Sequence, residues 1–326
     1  MLAIDPRAFS DPGFVPSAET DKVIEAIAAF EKVGDVQGMA IGEKALSTIY
    51  LGLARWELSR AAAERGLVHA LAIGDVALAD QARFRILNAA LWGPTPVAEL
   101  LPLADETIAA VASTSVGASL ISQRALAHAL AGDAESAHAD LAEAIRIKRE
   151  LGDPNLAWLF TSTPVETVLG DLDAAEAEVR QAIEYLERVG ETGQRSTMFG
   201  FRARNAFDLG RPDSEVVFFA EECRRLAAVD DMISQLQWRA ALALVAARAG
   251  RIGEAKALID EASDIVKKTD FLWELGLTAQ DRGYIHQQAG ETDDARSAYE
   301  EALALFEQKG DVMDAARVRE RLASLR

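Results

Sequence analysis

The closest approach to a phosphate-binding loop is the stretch 38–46, GMAIGEKAL. A phosphate loop needs four residues between its glycines, then Lys, then Ser or Thr, because the backbone N–H groups, the ammonium and the hydroxyl must reach the phosphates and Mg²⁺ together. Here only three residues separate the glycines, Glu43 precedes Lys44, and Ala45 follows. The spacing argues against nucleotide binding at this stretch.

Metal-binding chemistry has one weak candidate, the Glu-x-x-His formed by Glu135 and His138 on one predicted helix face. Di-iron helix bundles need this motif twice, with two further glutamates, and the sequence has a single copy. The aspartate pairs 230–231 and 293–294 stand at predicted helix starts, where the helix dipole stabilises negative charge. The sequence therefore predicts no metal site and no cofactor.

Cys223 is the single cysteine of the chain, so an internal disulfide is excluded. It lies between Glu222 and Arg224 with no base nearby in sequence, which favours a structural thiol. One cysteine is typical of a reducing compartment, so a cytoplasmic protein is expected. No paired titratable groups converge by their spacing, and we predict no catalytic residue and no enzyme activity.

The charge balance limits the partners that the protein can bind. Against 34 Lys and Arg stand 52 Asp and Glu, a formal net charge of −18 that repels nucleic acid and anionic lipid. The first residues place Asp5 and Pro6 where a signal peptide needs an apolar run. No stretch approaches the roughly 18 apolar residues of a membrane span. Neither nucleic acid nor a membrane is therefore an expected partner.

A repeat of about 40 residues organises the chain. Turn residues, mostly glycine followed by an acid, recur at 34, 74, 152, 190, 230, 270 and 310, and a second series falls midway at 93, 132, 170, 210, 250 and 290. The intervals carry apolar residues at helical spacing, and Gly after such a run is a common helix stop. Two turns in each period predict two helices in each repeat.

The predicted fold is all-α, a right-handed superhelical solenoid of about seven antiparallel helix pairs, because one pair cannot bury its own apolar face. A leading helix is expected from about Ser17 to Val33, and a polar closing helix over 312–324 caps the end. Residues 1–16, which are rich in proline, are expected to form an irregular arm. Residues 17–326 then form a single domain, as a monomer or a homodimer.

The segment 283–303, GYIHQQAGETDDARSAYEEAL, resembles a tetratricopeptide repeat, with small residues at Gly283 and Ala295 and a filling ring at Tyr299. Comparable matches surround Gly132, Gly170 and Gly250. The period near 40 and the C-terminal sequence are also similar to the helical-repeat region of large bacterial ATPase regulators that carry adenylate/guanylate cyclase or LuxR-type domains. This resemblance implies a scaffolding or sensory role without ATPase or cyclase activity.

In the tetratricopeptide family the first helix of each pair lines a concave groove. Groove positions, counted back from each turn glycine, give the following residues as the implied site: Ser122, Phe160, Pro164, Arg204, Phe207, Gln237, Gln280, Tyr284 and Gln287. Rings mixed with amide donors suit a peptide or a partner helix. Arg204 is the expected contact for a carboxylate or phosphate. Alternatively, it pairs with an acid of the same surface.

Two local features leave alternatives open. Pro164 falls inside a predicted helix, and Thr163 with Glu166 forms a capping-box pattern, so the helix is expected to kink or restart there. The kink is either a tolerated defect or a widened groove. Five tryptophans are scattered along the sequence, and most are expected between helices, whereas Trp56 near a turn is a candidate exposed anchor.

The first functional hypothesis is a non-enzymatic scaffold or sensor that binds a protein or peptide in the groove. It predicts that Arg204→Glu abolishes partner retention and leaves melting intact. The alternative is a domain that senses a small effector through a pocket near Phe160 and Pro164.

Overall fold

The computed structural model of the protein describes residues 15–152 and 159–325, and at positions 159–161 it describes the backbone alone. This part of the chain contains sixteen α-helices after a short 3-10 turn at Pro16–Glu19, and no strand. The helices are α1 Thr20–Val33, α2 Val36–Gly52, α3 Trp56–Ala72, α4 Val76–Trp92, α5 Val97–Ala110, α6 Thr114–Leu130, α7 Ala134–Glu150, α8 Leu159–Leu169, α9 Leu172–Arg188, α10 Gly193–Asp208, α11 Asp213–Leu226, α12 Met232–Arg248, α13 Ile252–Val266, α14 Leu272–Gln288, α15 Thr292–Lys309 and α16 Val312–Ser324.

Seven helix pairs run from α2–α3 to α14–α15, with α1 before them and α16 after them, so the all-α solenoid predicted from the repeat is confirmed. No helix in the described residues is long and apolar enough to cross a membrane. The Gly-acid signal works as expected at Gly74, which turns left-handed at a φ of 69°. Asp75 then accepts a hydrogen bond from the Leu78 N–H and caps α4.

Small residues set the distance between paired helices. Gly283 of α14 faces the ring of Tyr299 in α15, and a Cβ atom at Gly283 would lie 2.5 Å from that ring. Tyr299 and Ala295 are fully buried beside it. The repeat motif is therefore a packing device, because a side chain larger than hydrogen at 283 has no room.

Gly283→Ala tests this close contact. We expect the free energy of unfolding to fall by about 1–3 kcal/mol, since the added methyl must push the Tyr299 ring out of a packed position. Denaturant unfolding measures the change. Gly253→Ala in α13 is the matched control, because a Cβ there meets nothing within 4 Å. The control should match or exceed wild-type stability, and equal losses in the two variants would contradict the assignment.

The solenoid closes on itself, which the repeat pattern does not predict. Asp270, at the start of the last pair, accepts hydrogen bonds from the N–H groups of Trp56 (2.6 Å) and Glu57 (2.9 Å), 214 and 213 residues away in sequence. It caps the first turn of α3, where Arg55 gives no side-chain cap. A carboxylate at this end is favoured by the helix dipole. The seventh pair is thereby fixed against the first.

A second closing contact lies at the opposite kind of helix end. The side-chain nitrogen Nζ of Lys309, the last residue of α15, lies within hydrogen-bonding distance of the carbonyl oxygens of Ala90 (3.2 Å), Gly93 (2.7 Å) and Thr95 (2.8 Å) at the C-terminal end of α4. Lys309 is 1% exposed. Carbonyls left open at a helix end are satisfied here by the amino group of a lysine from five repeats further along the chain.

Closure of the solenoid into a ring explains where three of the tryptophans lie. Trp56 and Trp92 pack edge-on against Phe271 at ring distances of 5.5 and 5.7 Å, and Trp273 lies 6.0 Å from Trp92. We call these four rings the aromatic cluster. Trp56 is 3% exposed, so the expectation of an exposed anchor was wrong. The rings are distant in sequence and meet only because the first and last repeats touch.

Pro164 does not restart its helix. α8 begins at Leu159 and continues through Pro164 to Leu169, and Pro164 is buried. The hydroxyl of Thr163 has no hydrogen-bond partner among the described residues, so the predicted capping box with Glu166 does not form. Of the two predicted outcomes, a kink or a restart, the restart at Thr163 was wrong, because α8 already includes a helical turn before the proline.

Candidate functional site in the closed interior

The closing helix α16 lies against the inner helices instead of only covering the end of the solenoid, as a polar cap would. Its Arg317 donates to the carbonyl oxygens of Val168 (2.5 Å) and Thr167 (3.3 Å) at the end of α8. Its Asp314 accepts from the indole N–H of Trp273 at 2.9 Å. α16 therefore occupies part of the concave surface that the sequence assigned to a partner.

Two cavities inside the ring are lined by described residues. The first, which we call the polar pocket, has a volume of about 330 Å³ and is lined mainly by α8, α10, α12, α14 and α16. The second, the aromatic pocket, has a volume of about 250 Å³ and is lined mainly by α2, α4, α6, α10 and α12 with Trp56 and Phe271. Phe201 lines both of them. These lining elements are mostly first helices of the pairs.

Arg204 lies in the polar pocket and is already paired. One guanidinium nitrogen lies 2.7 and 2.8 Å from the two carboxylate oxygens of Asp281, and another donates to Asp208 at 3.0 Å. Burial acts to lower the pKa of Arg204, but the two carboxylates outweigh it and the net shift is upward. Arg204 keeps its charge and ties α10 to α14, which matches the alternative that it pairs with an acid of the protein.

Four buried polar side chains line the same pocket and each has one atom without a hydrogen-bond partner in the described part of the chain. These atoms are Asn205 Nδ2, Gln237 Oε1, Thr278 Oγ1 and Gln280 Oε1. All four residues are at least nine-tenths buried. Buried polar groups are normally paired, so four unpaired atoms on residues that line one cavity make it the candidate site for a polar ligand.

Glu274 is the buried carboxyl of the polar pocket. Its carboxylate accepts a hydrogen bond from the Gln237 amide at 3.2 Å, and the side chain is 5% exposed. Burial raises the pKa of Glu274 to about 7, while the Gln237 amide and the charge of Arg204 act in the opposite direction. The carboxyl therefore changes charge near neutral pH, and a cation placed beside it would hold it ionised.

The structure brings together three of the residues that the sequence proposed for the groove: Arg204, Gln237 and Gln280 line the polar pocket. Ser122 lines the aromatic pocket instead. The side chain of Phe160 lies outside the described residues. Pro164 lines neither pocket, so the alternative of an effector pocket built on it has no support from this position.

The remaining groove candidates engage one another or a neighbour. Phe207 and Tyr284 pack edge-on with ring centres 5.7 Å apart, and the Arg248 guanidinium lies 4.5 Å above the Phe207 ring. Gln287 accepts a hydrogen bond from the Tyr299 hydroxyl at 3.0 Å. None of these three residues lines the two pockets.

Sequence reasoning missed Asn205, Glu274, Thr278 and Asp281. Asn205 follows Arg204 directly and Asp281 follows Gln280, so each stands one position from a residue that was chosen. Counting a fixed number of positions back from each turn glycine selects residues on one narrow face of each helix. Residues on the adjacent face also reach a cavity that lies among several helices, so a wider selection would have included these four residues.

Other candidate chemistries have structural partners. Cys223 is fully buried, and burial raises the pKa of its thiol well above the usual value, which fits a structural thiol. His286, Glu291 and Asp294 hold possible metal-ligating atoms within 4.8 Å of one another. The Lys256 ammonium, however, lies 2.7 Å from both carboxylate oxygens of Glu291, so a cation already neutralises that carboxylate.

No family model matches this chain, and no curated protein matches it either. Solved structures do. A chain of the APC/C hetero-tetramer Cut9-Hcn1 is 13% identical with a TM-score of 0.63, over 94% of this chain and 55% of that one. A signal transduction ATPase with numerous domains and a tetratricopeptide repeat sensor, from Pyrococcus horikoshii, is 11% identical with a TM-score of 0.55, over 94% of this chain and 52% of that one.

A third similar structure is a Rap protein complexed with competence and sporulation factor, 9% identical with a TM-score of 0.55, over 95% of this chain and 98% of that one. The chain thus spans about half the length of the first two proteins and nearly all of the third. At these identities the likeness concerns the fold. It confirms the tetratricopeptide-like helical repeat that the sequence indicated.

Proposed function

We propose that this tetratricopeptide-like solenoid is a non-catalytic interaction module that binds a short peptide segment of a partner in the polar pocket. The observation that carries the proposal is the set of four buried side chains with open hydrogen-bonding atoms around one cavity. Amide and hydroxyl groups offer both donors and acceptors. They match the N–H and C=O groups that every peptide residue presents.

The size of the cavity limits the occupant. With a volume of about 330 Å³, the polar pocket is near the lower end of the range for small-ligand sites. α16 occupies part of the inner surface through Asp314 and Arg317, which disfavours a whole partner helix there. A segment of about two or three residues is therefore the expected occupant, in place of the extended groove ligand that the sequence suggested.

The charges of the pocket favour a basic side chain beside Glu274. Six other charged residues line the pocket, namely Arg204, Asp208, Asp281, Asp314, Arg317 and Arg321. Arg204 is paired with Asp281, Arg317 is paired with Asp314 at 2.6 Å, and Arg321 interacts with the Tyr299 side chain. Glu274 has a neutral amide as its hydrogen-bonding partner, so a Lys or Arg of the segment would gain most from contact with this carboxyl.

The neighbouring structures support a binding role of this kind. One is described as a protein with a tetratricopeptide repeat sensor and another as a complex with a factor. Transfer of such a role to this chain is part of the proposal. A sensor or scaffold that recognises a basic segment fits both the fold and the acidic character of the protein.

Two blocked peptides that differ in one charge test the proposal. We expect acetyl-Gly-Lys-Gly-amide to bind at least tenfold more tightly at pH 8 than acetyl-Gly-norleucine-Gly-amide, measured by calorimetry. Because the pKa of Glu274 is about 7, the carboxyl takes up a proton as the pH falls to 6. The preference for Lys should therefore shrink between pH 8 and pH 6.

Glu274→Gln is the matched variant, since it keeps the shape and removes the charge. In this variant the two peptides should bind equally, and the pH dependence should disappear. Equal binding of the two peptides to the wild-type protein at pH 8 would overturn the proposed specificity. Binding of neither peptide would contradict the proposal that the polar pocket is a peptide site.

A further inference from the structure

The aromatic pocket is a second cavity, on the other side of Phe201 from the polar pocket. Five rings form much of its wall: Trp56, Phe84, Trp92, Phe201 and Phe271. Aliphatic side chains of α2 and α12 complete an apolar surface. Its chemistry therefore differs from that of the polar pocket, and the peptide proposal does not use it.

The contacts that close the solenoid between its first and last repeats hold the walls of this pocket in place. Trp56 is fixed at its backbone by Asp270, and the Phe271 ring packs edge-on against the Trp56 and Trp92 rings. Rings held from two sides lose little freedom when a ligand enters. A rigid aromatic wall of this kind is typical of small-molecule sites and favours flat ligands.

Polar side chains also line the pocket, and two buried atoms of the lining residues have no hydrogen-bond partner among the described residues. They are the indole nitrogen Nε1 of Trp56 and the amide oxygen Oε1 of Gln123. The two residues are 3% and 2% exposed. One atom donates and the other accepts, so the pocket offers a ligand one position for an acceptor and one for a donor.

The charged residues of the lining are engaged with the protein. Asp230 accepts from the backbone N–H of Ser17 at 3.0 Å, and Asp231 caps α12 by accepting from the Ser234 N–H at 3.1 Å. Arg85 has an interaction of its own. Two carboxylates against one guanidinium disfavour an anion, and the aromatic wall disfavours a strongly hydrated ion. A neutral ligand fits best.

We propose that the aromatic pocket binds a small, neutral, planar aromatic molecule of one or two fused rings that carries one hydrogen-bond acceptor and one donor. The rings stack within the aromatic wall, the acceptor receives the Trp56 N–H, and the donor pairs with the Gln123 oxygen. The site is independent of the peptide site, and it would make the protein a sensor of such an effector.

A pair of probes of similar size tests the proposal with the full chain. Quinolin-2(1H)-one carries an adjacent N–H and C=O, whereas naphthalene has neither. We expect quinolin-2(1H)-one to bind with a sub-millimolar Kd in ligand-observed NMR titrations and naphthalene to bind about tenfold more weakly, the factor that two hydrogen bonds of about threefold each supply together. Absence of quinolinone binding at 1 mM would overturn the proposal.

Trp56→Phe keeps a ring and removes the donor, so the affinity for quinolin-2(1H)-one should fall about threefold, the share of one hydrogen bond, while that for naphthalene changes less than twofold. Gln123→Leu tests the acceptor in the same way and serves if Trp56→Phe does not fold. Trp238→Phe is the control, because Trp238 does not line the pocket and its N–H donates to Gln235. An unchanged preference in folded Trp56→Phe and Gln123→Leu would overturn the assignment.

Discussion

Arg204→Glu should lower the free energy of unfolding by about 3–5 kcal/mol, the cost of breaking a buried ion pair by removing one partner. Asp281 is 2% exposed and holds Arg204 through both carboxylate oxygens. The substitution would leave Asp281 buried without its cation and place a third carboxylate beside Asp208. Urea unfolding followed by circular dichroism measures the loss.

Arg282→Glu is the matched control, because Arg282 directly follows Asp281 in α14. Its partner Glu301 is half exposed, so the same change of charge should alter stability by less than about 1 kcal/mol. Equal losses of stability in the two variants would contradict the claim that the buried Arg204–Asp281 ion pair holds α10 against α14. The buried ion pair with Asp281 replaces the sequence-based expectation that Arg204→Glu leaves melting intact with the prediction that it destabilises the fold. Loss of partner retention in this variant would then not locate a binding site.

Lys309→Met should lower the free energy of unfolding by about 3 kcal/mol, the second largest effect that the structure predicts. The methionine keeps most of the packing, but three carbonyl oxygens at the end of α4 lose their donor inside the protein. Each open acceptor costs about 1 kcal/mol or more. Lys268→Met, at an exposed position, should leave the unfolding curve unchanged, and a similar curve for Lys309→Met would argue against ring closure through this residue.

The same lysine predicts a pH dependence with a definite sign. Burial lowers the pKa of Lys309 from 10.5 to about 7. Between pH 7 and pH 10 the unfolded chain therefore holds a proton that the folded protein has released, so stability rises with pH by about 1 kcal/mol per unit through this group. Below pH 7 Lys309 is protonated in both the folded and the unfolded state, so its contribution to stability does not change with pH. The difference between wild type and Lys309→Met should widen from pH 7 to pH 9.

Local signals in the sequence were sufficient for the helices and their pairing. Gly74 and Asp75 end one helix and begin the next through their own backbone and side chain, so a reader of the sequence can place the turn. The same signals repeated along the chain predict seven pairs, a leading helix and a closing helix with nearly the observed bounds.

Contacts between the ends of the chain could not be predicted in this way. Lys309 is the last residue of a helix before a glycine, a position where lysine is ordinary, and nothing near it in sequence refers to α4. Whether the seventh pair meets the first depends on small rotations summed over six interfaces. The candidate site has the same limit, since Asn205 and Thr278 look like common helix residues until the curvature of the solenoid and α16 place them around one cavity.

Asp270 and Lys309 also change what kind of folding reaction the chain can have. An open array of repeats frays from its ends, because each terminal unit has a single neighbour. Here the contacts between Asp270 and Trp56 join residues 214 positions apart, so this end of the array has a second neighbour. Such distant contacts are slow to form, and once formed they suppress fraying. In hydrogen exchange, the amide of Trp56 should open only with the whole molecule.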